Sequence, residues 1–130
     1  KIIMKQIIST TKAPSAIGPY NQATAFDKLL FLSGQIPLVP QTMEIIEGGV
    51  KEQTVQVMEN LKAVLEEGNS SFENVLKTTC YLSDMDNFVA FNEVYAQYFP
   101  AETAPARATI AVKTLPKNVF VEVDAIAFKN

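Results

Sequence analysis

The chain has 130 residues, 48% of them hydrophobic and 19% charged, with a net charge of −3; its mean hydropathy is +0.09 and its pI is about 4.9. This composition is typical of one globular domain, residues 1–130, and the lack of a Lys/Arg stripe makes nucleic acid an unfavourable partner. Histidine is absent and cysteine occurs once, which excludes Ser-His-Asp and Cys-His nucleophile systems, zinc sites built on these residues, and a disulfide within the chain.

The first third of the chain predicts three short strands, at Lys5–Ser9, Tyr20–Ala25 and Lys28–Ser33, the last two joined by a tight turn at Phe26-Asp27. The opening segment, Lys1–Ser9, lacks the hydrophobic core and cleavage site of a signal peptide. No stretch approaches the ~20 apolar residues of a membrane span. We therefore expect a cytoplasmic protein.

A turn-rich segment, residues 34–49, precedes a predicted helix at Lys51–Glu67. Gly68 is expected to end this helix in the left-handed conformation. Apolar residues recur at helical spacing and predict the buried stripe: Val55, Met58, Leu61 and Leu65.

The second half predicts a strand at Val75–Ser83 and a second helix that runs to about Phe99 and ends before Pro100. Ser70–Glu73 has capping-box spacing and predicts one short turn, and Asp84 or Asp86 is expected to cap the second helix. The inner stripe of that helix is predicted at Phe88, Phe91, Tyr95 and Phe99. Cys80 shares a strand face with Leu76 and Leu82, which indicates a core residue.

Two apolar, alternating segments close the chain, 106–112 and 119–128, and each carries charge. Alternation places Arg107, Thr109 and Ala111 on one face of the first segment, and Phe120, Glu122, Asp124 and Ile126 on one face of the second. The intervening 113–118 contains Pro and Asn, which predicts a turn and an antiparallel hairpin. In that hairpin Thr109 would face Glu122 and Arg107 would face Asp124.

Arg107 and Glu122 would then be diagonal neighbours, and charged side chains are seldom placed on buried strands without a partner or a task. A fixed guanidinium beside a half-buried carboxylate can hold an anion and activate a water molecule. The alternative is an ion pair that only holds the hairpin together, which adds little net stability. The residues by themselves leave both interpretations open.

The element order β-β-β-α-β-α-β-β predicts an α+β fold, a single sheet with both helices packed on one face. The other sheet face would carry uncovered apolar residues, so we expect oligomerisation through it.

Three further segments place polar groups beside apolar ones. Ile17-Gly18-Pro19-Tyr20 presents an aromatic hydroxyl on a stiff turn. Ser33-Gly34 ends an apolar strand with a small hydroxyl and an approachable backbone. Asn92 lies near the inner stripe of the second helix. Each has a plainer interpretation, in which Tyr20 only packs, Ser33-Gly34 only turns and Asn92 only caps a carbonyl.

Four motifs in this order, I-G-P-Y, S-G-Q-I-P, P-A-R-A-T and V-E-V-D-A-I-A, resemble the RidA/YjgF family of reactive-intermediate deaminases, from about Ala13 to the C-terminus. L-K-A-V-L-E-E-G and L-P-K-N-V-F-V-E-V are also similar to that family. The resemblance implies a chorismate-mutase-like fold with a mixed sheet and a homotrimer with sites between subunits. The implied substrates are 2-imino and 2-enamino acids released by pyridoxal-phosphate enzymes, such as those from serine and threonine, and the products are 2-keto acids and ammonia.

Under this resemblance Arg107 matches the carboxylate-binding arginine and Glu122 the acid that handles the hydrolytic water. The other matching positions line the pocket: Tyr20, Ser33, Gly34, Asn92 and Thr109. Thr109 stands where archetypal members have cysteine, so no thiol chemistry is expected there. No metal or cofactor is expected, because a protonated imine carbon is already electrophilic and one carboxylate can move the protons.

Two other functions remain compatible with the same residues. One is a regulatory trimer that binds a small carboxylate without turnover. The other is the ribonuclease or translation-inhibitor activity described for relatives, which the acidic pI and the absence of His disfavour.

Overall fold

Six strands form one mixed sheet in the computed structural model, which describes residues 4–130. Residues 1–3, part of the opening segment Lys1–Ser9, lie outside the described residues. The strands are β1 (Gln6–Ile8), β2 (Ala23–Phe26), β3 (Leu29–Gln35), β4 (Val75–Leu82), β5 (Ala106–Ala111) and β6 (Val121–Phe128). The helices are α1 (Val50–Glu67) and α2 (Phe88–Tyr98). Short 3-10 turns lie at Phe72–Asn74, Met85–Asn87 and Pro116–Asn118.

The strand order is β1-β2-β3-β6-β4-β5, and only β4 and β5 run parallel. The two helices pack against one face, where apolar side chains of β3, β4 and β6 form the core with both of them. The predicted α+β fold with a mixed sheet and helices on one face, the chorismate-mutase-like architecture, is therefore confirmed.

The predicted terminal hairpin is wrong. β4 lies between β5 and β6, pairing parallel with β5 and antiparallel with β6. The reason is the chain between β4 and β5, which contains α2. A strand-helix-strand unit returns its second strand parallel to the first. β6 then pairs with β3 and β4 in the sheet interior, where every second residue from Val121 to Ala127 is buried.

Some strand boundaries and some buried faces differ from the predictions. β2 begins at Ala23, because Tyr20 belongs to the preceding loop. Val55 is 40% exposed on α1, whose buried stripe runs instead through Val57 and Val64 as well as the predicted Met58, Leu61 and Leu65. Leu76 is exposed, because a bulge between Val75 and Lys77 breaks the alternation that leads to buried Cys80.

The end of α1 uses Asn69, not Gly68, for the left-handed conformation. Asn69 has φ 59° and Gly68 has φ −85°. The Ser70 amide donates to the Leu65 carbonyl and the Asn69 amide to the Glu66 carbonyl, which is a Schellman motif with Asn69 as its left-handed residue. Gly68 is small for another reason: a Cβ there would lie 2.7 Å from Cδ2 of Leu30, which is fully buried.

The capping predictions for the second half are confirmed in part. Asp84 caps the 3-10 turn that leads into α2, where its Oδ1 accepts from the Asp86 amide at 2.8 Å. Ser71 makes no side-chain cap, while Ser70 instead donates to the Phe128 carbonyl at 2.7 Å. In the part of the chain that the structure describes, neither helix has the length and apolar character to cross a membrane.

Substitutions separate the packing role of Gly68 from the left-handed conformation of Asn69 at the end of α1. Gly68→Ala should lower the free energy of unfolding by about 1–3 kcal/mol, because the added methyl group overpacks the core at Leu30. Asn69→Gly should change it by only a few tenths of a kcal/mol, since glycine accepts the same dihedral angles, about as readily. Urea unfolding of both variants tests this, and an unchanged Gly68→Ala would contradict the packing role.

Candidate active site

Glu122 lies on the sheet face that points away from the helices, in a cleft of about 330 Å³. β6 places it there by alternation, because its neighbours Val121 and Val123 are buried on the helix side. The cleft is lined by Tyr20, Ser33, Gly34, Ile36, Pro116 and Glu122. Three residues predicted to belong to the site, Tyr20, Ser33 and Gly34, therefore lie together with Glu122.

A β-bulge brings the backbone of β3 against this carboxylate. Leu32 pairs with Ala125 but Gln35 pairs with Val123, so β3 contains one extra residue at Ser33-Gly34. A Cβ on Gly34 would lie 2.9 Å from Glu122 Cδ and closer still to Oε2. Glycine leaves this volume to the carboxylate, because a side chain at position 34 would displace Glu122 from its place in the cleft.

Burial raises the pKa of Glu122, and the nearby charge of Asp124 raises it further. Asp124, next on the same face, accepts a hydrogen bond from the Tyr81 hydroxyl at 3.1 Å. Glu122 forms no ion pair within residues 4–130. A carboxyl group whose pKa is moved toward neutrality, beside an open cleft, is suited to accept and return a proton.

Arg107 lies on the opposite side of the sheet, over α2. Its Nη1 donates to Asn92 Oδ1 at 2.7 Å. The guanidinium carbon lies 4.7 Å from the centre of the Tyr95 ring and 5.5 Å from that of Phe88. Among residues 4–130 no carboxylate pairs with it, so a planar, charged donor fork is left for an anion.

Thr109 shares that face, two residues along β5 and opposite Cys80 in the pairing register. Its Oγ1 is buried and has no hydrogen-bond partner among the described residues. Burial raises the pKa of the Cys80 thiol to about 11, so Cys80 is an inert core residue, as predicted.

The predicted contact between Arg107 and Glu122 is therefore wrong for a single chain. Arg107 pairs with Thr78, which pairs with Ala125 on β6. Ala125 is three residues from Glu122, an odd number, so the two charged side chains point to opposite faces. The alternative ion pair that would hold a hairpin is wrong for the same reason. The chain carries an acid half-site (Tyr20, Ser33, Gly34 and Glu122) and an arginine half-site (Asn92, Arg107 and Thr109).

Ile36, Pro116, Phe88 and Tyr95 were not predicted as site residues. Pro116 lies in the L-P-K-N segment that carried part of the family resemblance, and this was the available signal for it. Phe88, Asn92 and Tyr95 share one helix face at spacings of four and three. Their relation to Arg107 depends on the parallel pairing of β4 and β5, which the hairpin interpretation missed.

A family model described as endoribonuclease L-PSP matches residues 10–129. This chain belongs to the RidA/YjgF family. A RutC family protein of Pyrococcus horikoshii is 51% identical over 126 residues, covering 97% of this chain and 99% of that protein. A mouse protein named 2-iminobutanoate/2-iminopropanoate deaminase is 45% identical over 125 residues, covering 96% and 92%.

A solved structure of Escherichia coli TdcF with bound serine has a TM-score of 0.89 and 40% identity to this RidA/YjgF family member, covering 96% of this chain and 99% of that one. The family resemblance inferred from the four motifs is thus confirmed. The matches extend over both half-sites, since residues 10–129 include every predicted site residue.

The raised pKa of Glu122 predicts a pH-dependent change in stability. The folded protein binds this proton more tightly than the unfolded chain, so the ionised carboxylate destabilises the fold above its raised pKa. Glu122→Gln removes that cost. At about pH 7 the variant should have a larger free energy of unfolding than the wild type, and the difference should vanish as the pH falls below about 4. Urea unfolding across this range measures it, and a difference that grows toward acid would contradict the assignment.

Proposed function

We propose that the protein is a hydrolytic deaminase, which converts 2-imino and 2-enamino acids to 2-keto acids and ammonia. Its active form is a homotrimer whose clefts join the acid half-site of one subunit to the arginine half-site of the next. One observation carries the proposal: Arg107, which has no carboxylate partner among residues 4–130, and Glu122, whose pKa is raised, lie on opposite faces of the sheet. Neither group by itself can both hold and hydrolyse an imino acid.

The sheet face that carries Glu122 supports assembly through that surface. Leu29, Phe31 and Ile110 are 42%, 43% and 47% exposed on it. Large apolar side chains left exposed on the open face of a sheet favour burial of that face against another subunit. In the proposed trimer, a second copy covers this face and contributes Arg107 from its edge strand to the cleft.

The chemistry requires only the groups that the two half-sites supply. The guanidinium fork of Arg107 holds the substrate carboxylate by two parallel hydrogen bonds. Glu122 takes a proton from water as the oxygen bonds to the electrophilic imine carbon. It then returns the proton to the nitrogen. As the carbon–nitrogen bond breaks, the new hydroxyl group becomes the carbonyl and gives its own proton to Glu122, so that ammonia and a 2-keto acid leave. Because free imines hydrolyse in water unaided, positioning of these partners supplies much of the acceleration.

The relatives support the same chemistry. The mouse protein is named for 2-iminobutanoate and 2-iminopropanoate. The bound serine of TdcF carries its carboxylate and its nitrogen on the same carbon atom, as a 2-imino acid does. The family model is described as an endoribonuclease, but a net charge of −3 and the absence of His disfavour cleavage of a polyanion. A regulator that binds a small carboxylate would use the same cleft without turnover.

Two substitutions separate binding from turnover. Arg107→Lys should abolish most of the affinity for a 2-keto acid, because a point charge does not reproduce the fork. Glu122→Gln should retain that affinity while hydrolysis of imines from a threonine dehydratase reaction falls by about 10²–10⁴-fold. Calorimetry with 2-oxobutanoate and ammonia release in the coupled assay measure the two quantities.

Asp124→Asn is the matched control for Glu122→Gln. It removes a charge from the same sheet face, two residues away, but Asp124 is bonded to Tyr81 and does not line the cleft. It should retain turnover, with the acid limb of the pH profile moved to lower pH because the charge that raises the pKa of Glu122 is gone. Near-normal turnover in Glu122→Gln, with affinity intact, would contradict the proton-transfer role of Glu122. A wild type that binds 2-oxobutanoate but releases no ammonia from imines would favour the regulator over the enzyme.

A site shared between subunits predicts complementation between two inactive variants. Arg107→Lys chains retain Glu122, and Glu122→Gln chains retain Arg107. Co-expression at equal amounts should produce mixed trimers in which about one quarter of the clefts combine both intact groups, by random assortment. Ammonia release by the co-expressed protein, compared with the separately purified variants mixed without exchange, tests this. No recovery in mixed trimers of verified composition would place both groups within one subunit's site.

A further inference from the structure

We infer that Tyr95, held by Thr78, is a positioning residue that sets the plane of the Arg107 guanidinium. The inference rests on the proposed function only in taking Arg107 as the carboxylate-binding group. It concerns how an arginine on an exposed edge strand is kept ready to bind a planar anion.

Arg107 needs support from outside its own strand. β5 is the sheet edge, paired only through β4, and an arginine side chain loses much rotational freedom when it binds a ligand. The hydrogen bond to Asn92 fixes one nitrogen at 2.7 Å. One bond fixes a point but not a plane, and two-pronged recognition of a carboxylate depends on the plane of the fork.

The Tyr95 ring supplies the missing contact. Its centre lies 4.7 Å from the guanidinium carbon, closer than that of Phe88. A guanidinium over an aromatic ring is attracted by about 0.5–2 kcal/mol. The ring and the Asn92 amide therefore fix the orientation and one end of the fork.

The Tyr95 ring is itself held in place. Its hydroxyl is hydrogen-bonded to Thr78 Oγ1 at 2.7 Å in the protein interior, and its ring packs 4.8 Å from Phe99 and 5.5 Å from Phe91, centre to centre. Burial raises the pKa of Tyr95 to about 12, so the hydroxyl keeps its proton at physiological pH. Rotation of the ring would break a buried hydrogen bond.

Thr78 links Tyr95 to the strand that carries Arg107, because it also pairs with Arg107 across β4 and β5. The backbone of Arg107 is in register with Thr78, the Thr78 hydroxyl holds Tyr95, and the Tyr95 ring lies against the Arg107 guanidinium. Thr78 thus fixes the backbone of Arg107 directly and its guanidinium through Tyr95. A core tyrosine that only fills space does not need a hydrogen bond to the strand neighbour of Arg107.

The experiment separates positioning from stability with a pair of single variants and their combination. Tyr95→Phe leaves the Thr78 hydroxyl with only the weak Cys80 thiol contact at 3.9 Å, and Thr78→Val leaves the buried Tyr95 hydroxyl without its Thr78 partner. Both variants should therefore have lower stability. The double variant removes both hydroxyls, so it should regain stability relative to the singles. If the bond positions Arg107, all three should bind 2-oxobutanoate about 3- to 10-fold more weakly, with a raised KM and little change in kcat.

Tyr98→Phe is the matched control. It also removes a tyrosine hydroxyl from α2, but this hydroxyl donates to Glu59 at 2.8 Å, and among residues 4–130 the rings that lie against Arg107 are those of Phe88 and Tyr95. Its affinity should equal that of the wild type. The NMR signal of the Arg107 Nε–H group gives a readout that needs no ligand: we expect its shift and order parameter to change in the Tyr95 and Thr78 variants and not in Tyr98→Phe.

Wild-type affinity together with an unchanged Arg107 signal in the double variant would overturn the inference. So would an equal loss of affinity in Tyr98→Phe, because that would indicate general loosening of α2. If the wild type itself neither binds 2-oxobutanoate nor hydrolyses imines, the proposed function fails. The Arg107 signal then still decides whether Tyr95 and Thr78 position the guanidinium.

Discussion

The insertion of β4 between β5 and β6 determines on which face of the sheet Arg107 and Glu122 lie. β4 and β5 belong to one strand-helix-strand unit, so β5 runs parallel to β4 at the sheet edge, while β6 pairs on the other side of β4. In a sheet the side chains in register share a face. Arg107 is in register with Thr78 and Ala125, and Glu122 with Tyr81, so the parity of the register places the cation on one face and the carboxylate on the other.

This separation keeps both groups available, at a cost in stability. Within residues 4–130 an ion pair between them would neutralise the fork and lower the pKa of the carboxyl. Instead, Glu122 is half-buried with a raised pKa, and the Thr109 hydroxyl has no partner in the described part of the chain. Polar groups left unsatisfied by their own chain are typical of sites that a ligand or a second subunit completes.

The sequence predicted the helices, the strands and the face on which each strand residue lies better than it predicted which strands pair. Alternation correctly grouped Arg107 with Thr109 and Glu122 with Asp124, because the period of two is a local property of the strand. Strand order is not local. The turn residues between 113 and 118 suggested a hairpin, but they form a 3-10 turn with Lys117 and Asn118 both at φ 57°. The pairing of β5 is determined by α2, earlier in the chain, because α2 returns β5 parallel to β4. The same limit applies to Gly68, because the side chain that leaves no room for a Cβ there is that of Leu30, which is distant in sequence.

The half-sites are built by different parts of the fold, which makes their properties separately adjustable. The acid half-site depends on a β-bulge in β3 and on Gly34, so changes there alter the environment and pKa of Glu122. The arginine half-site depends on one face of α2, so changes at Phe88, Asn92 or Tyr95 alter the orientation of the fork. Residues in contact couple energetically, whereas distant sites act almost independently. The two proposed roles, water activation and carboxylate recognition, can therefore vary one at a time within one chain, and they meet only in the cleft that we propose between subunits.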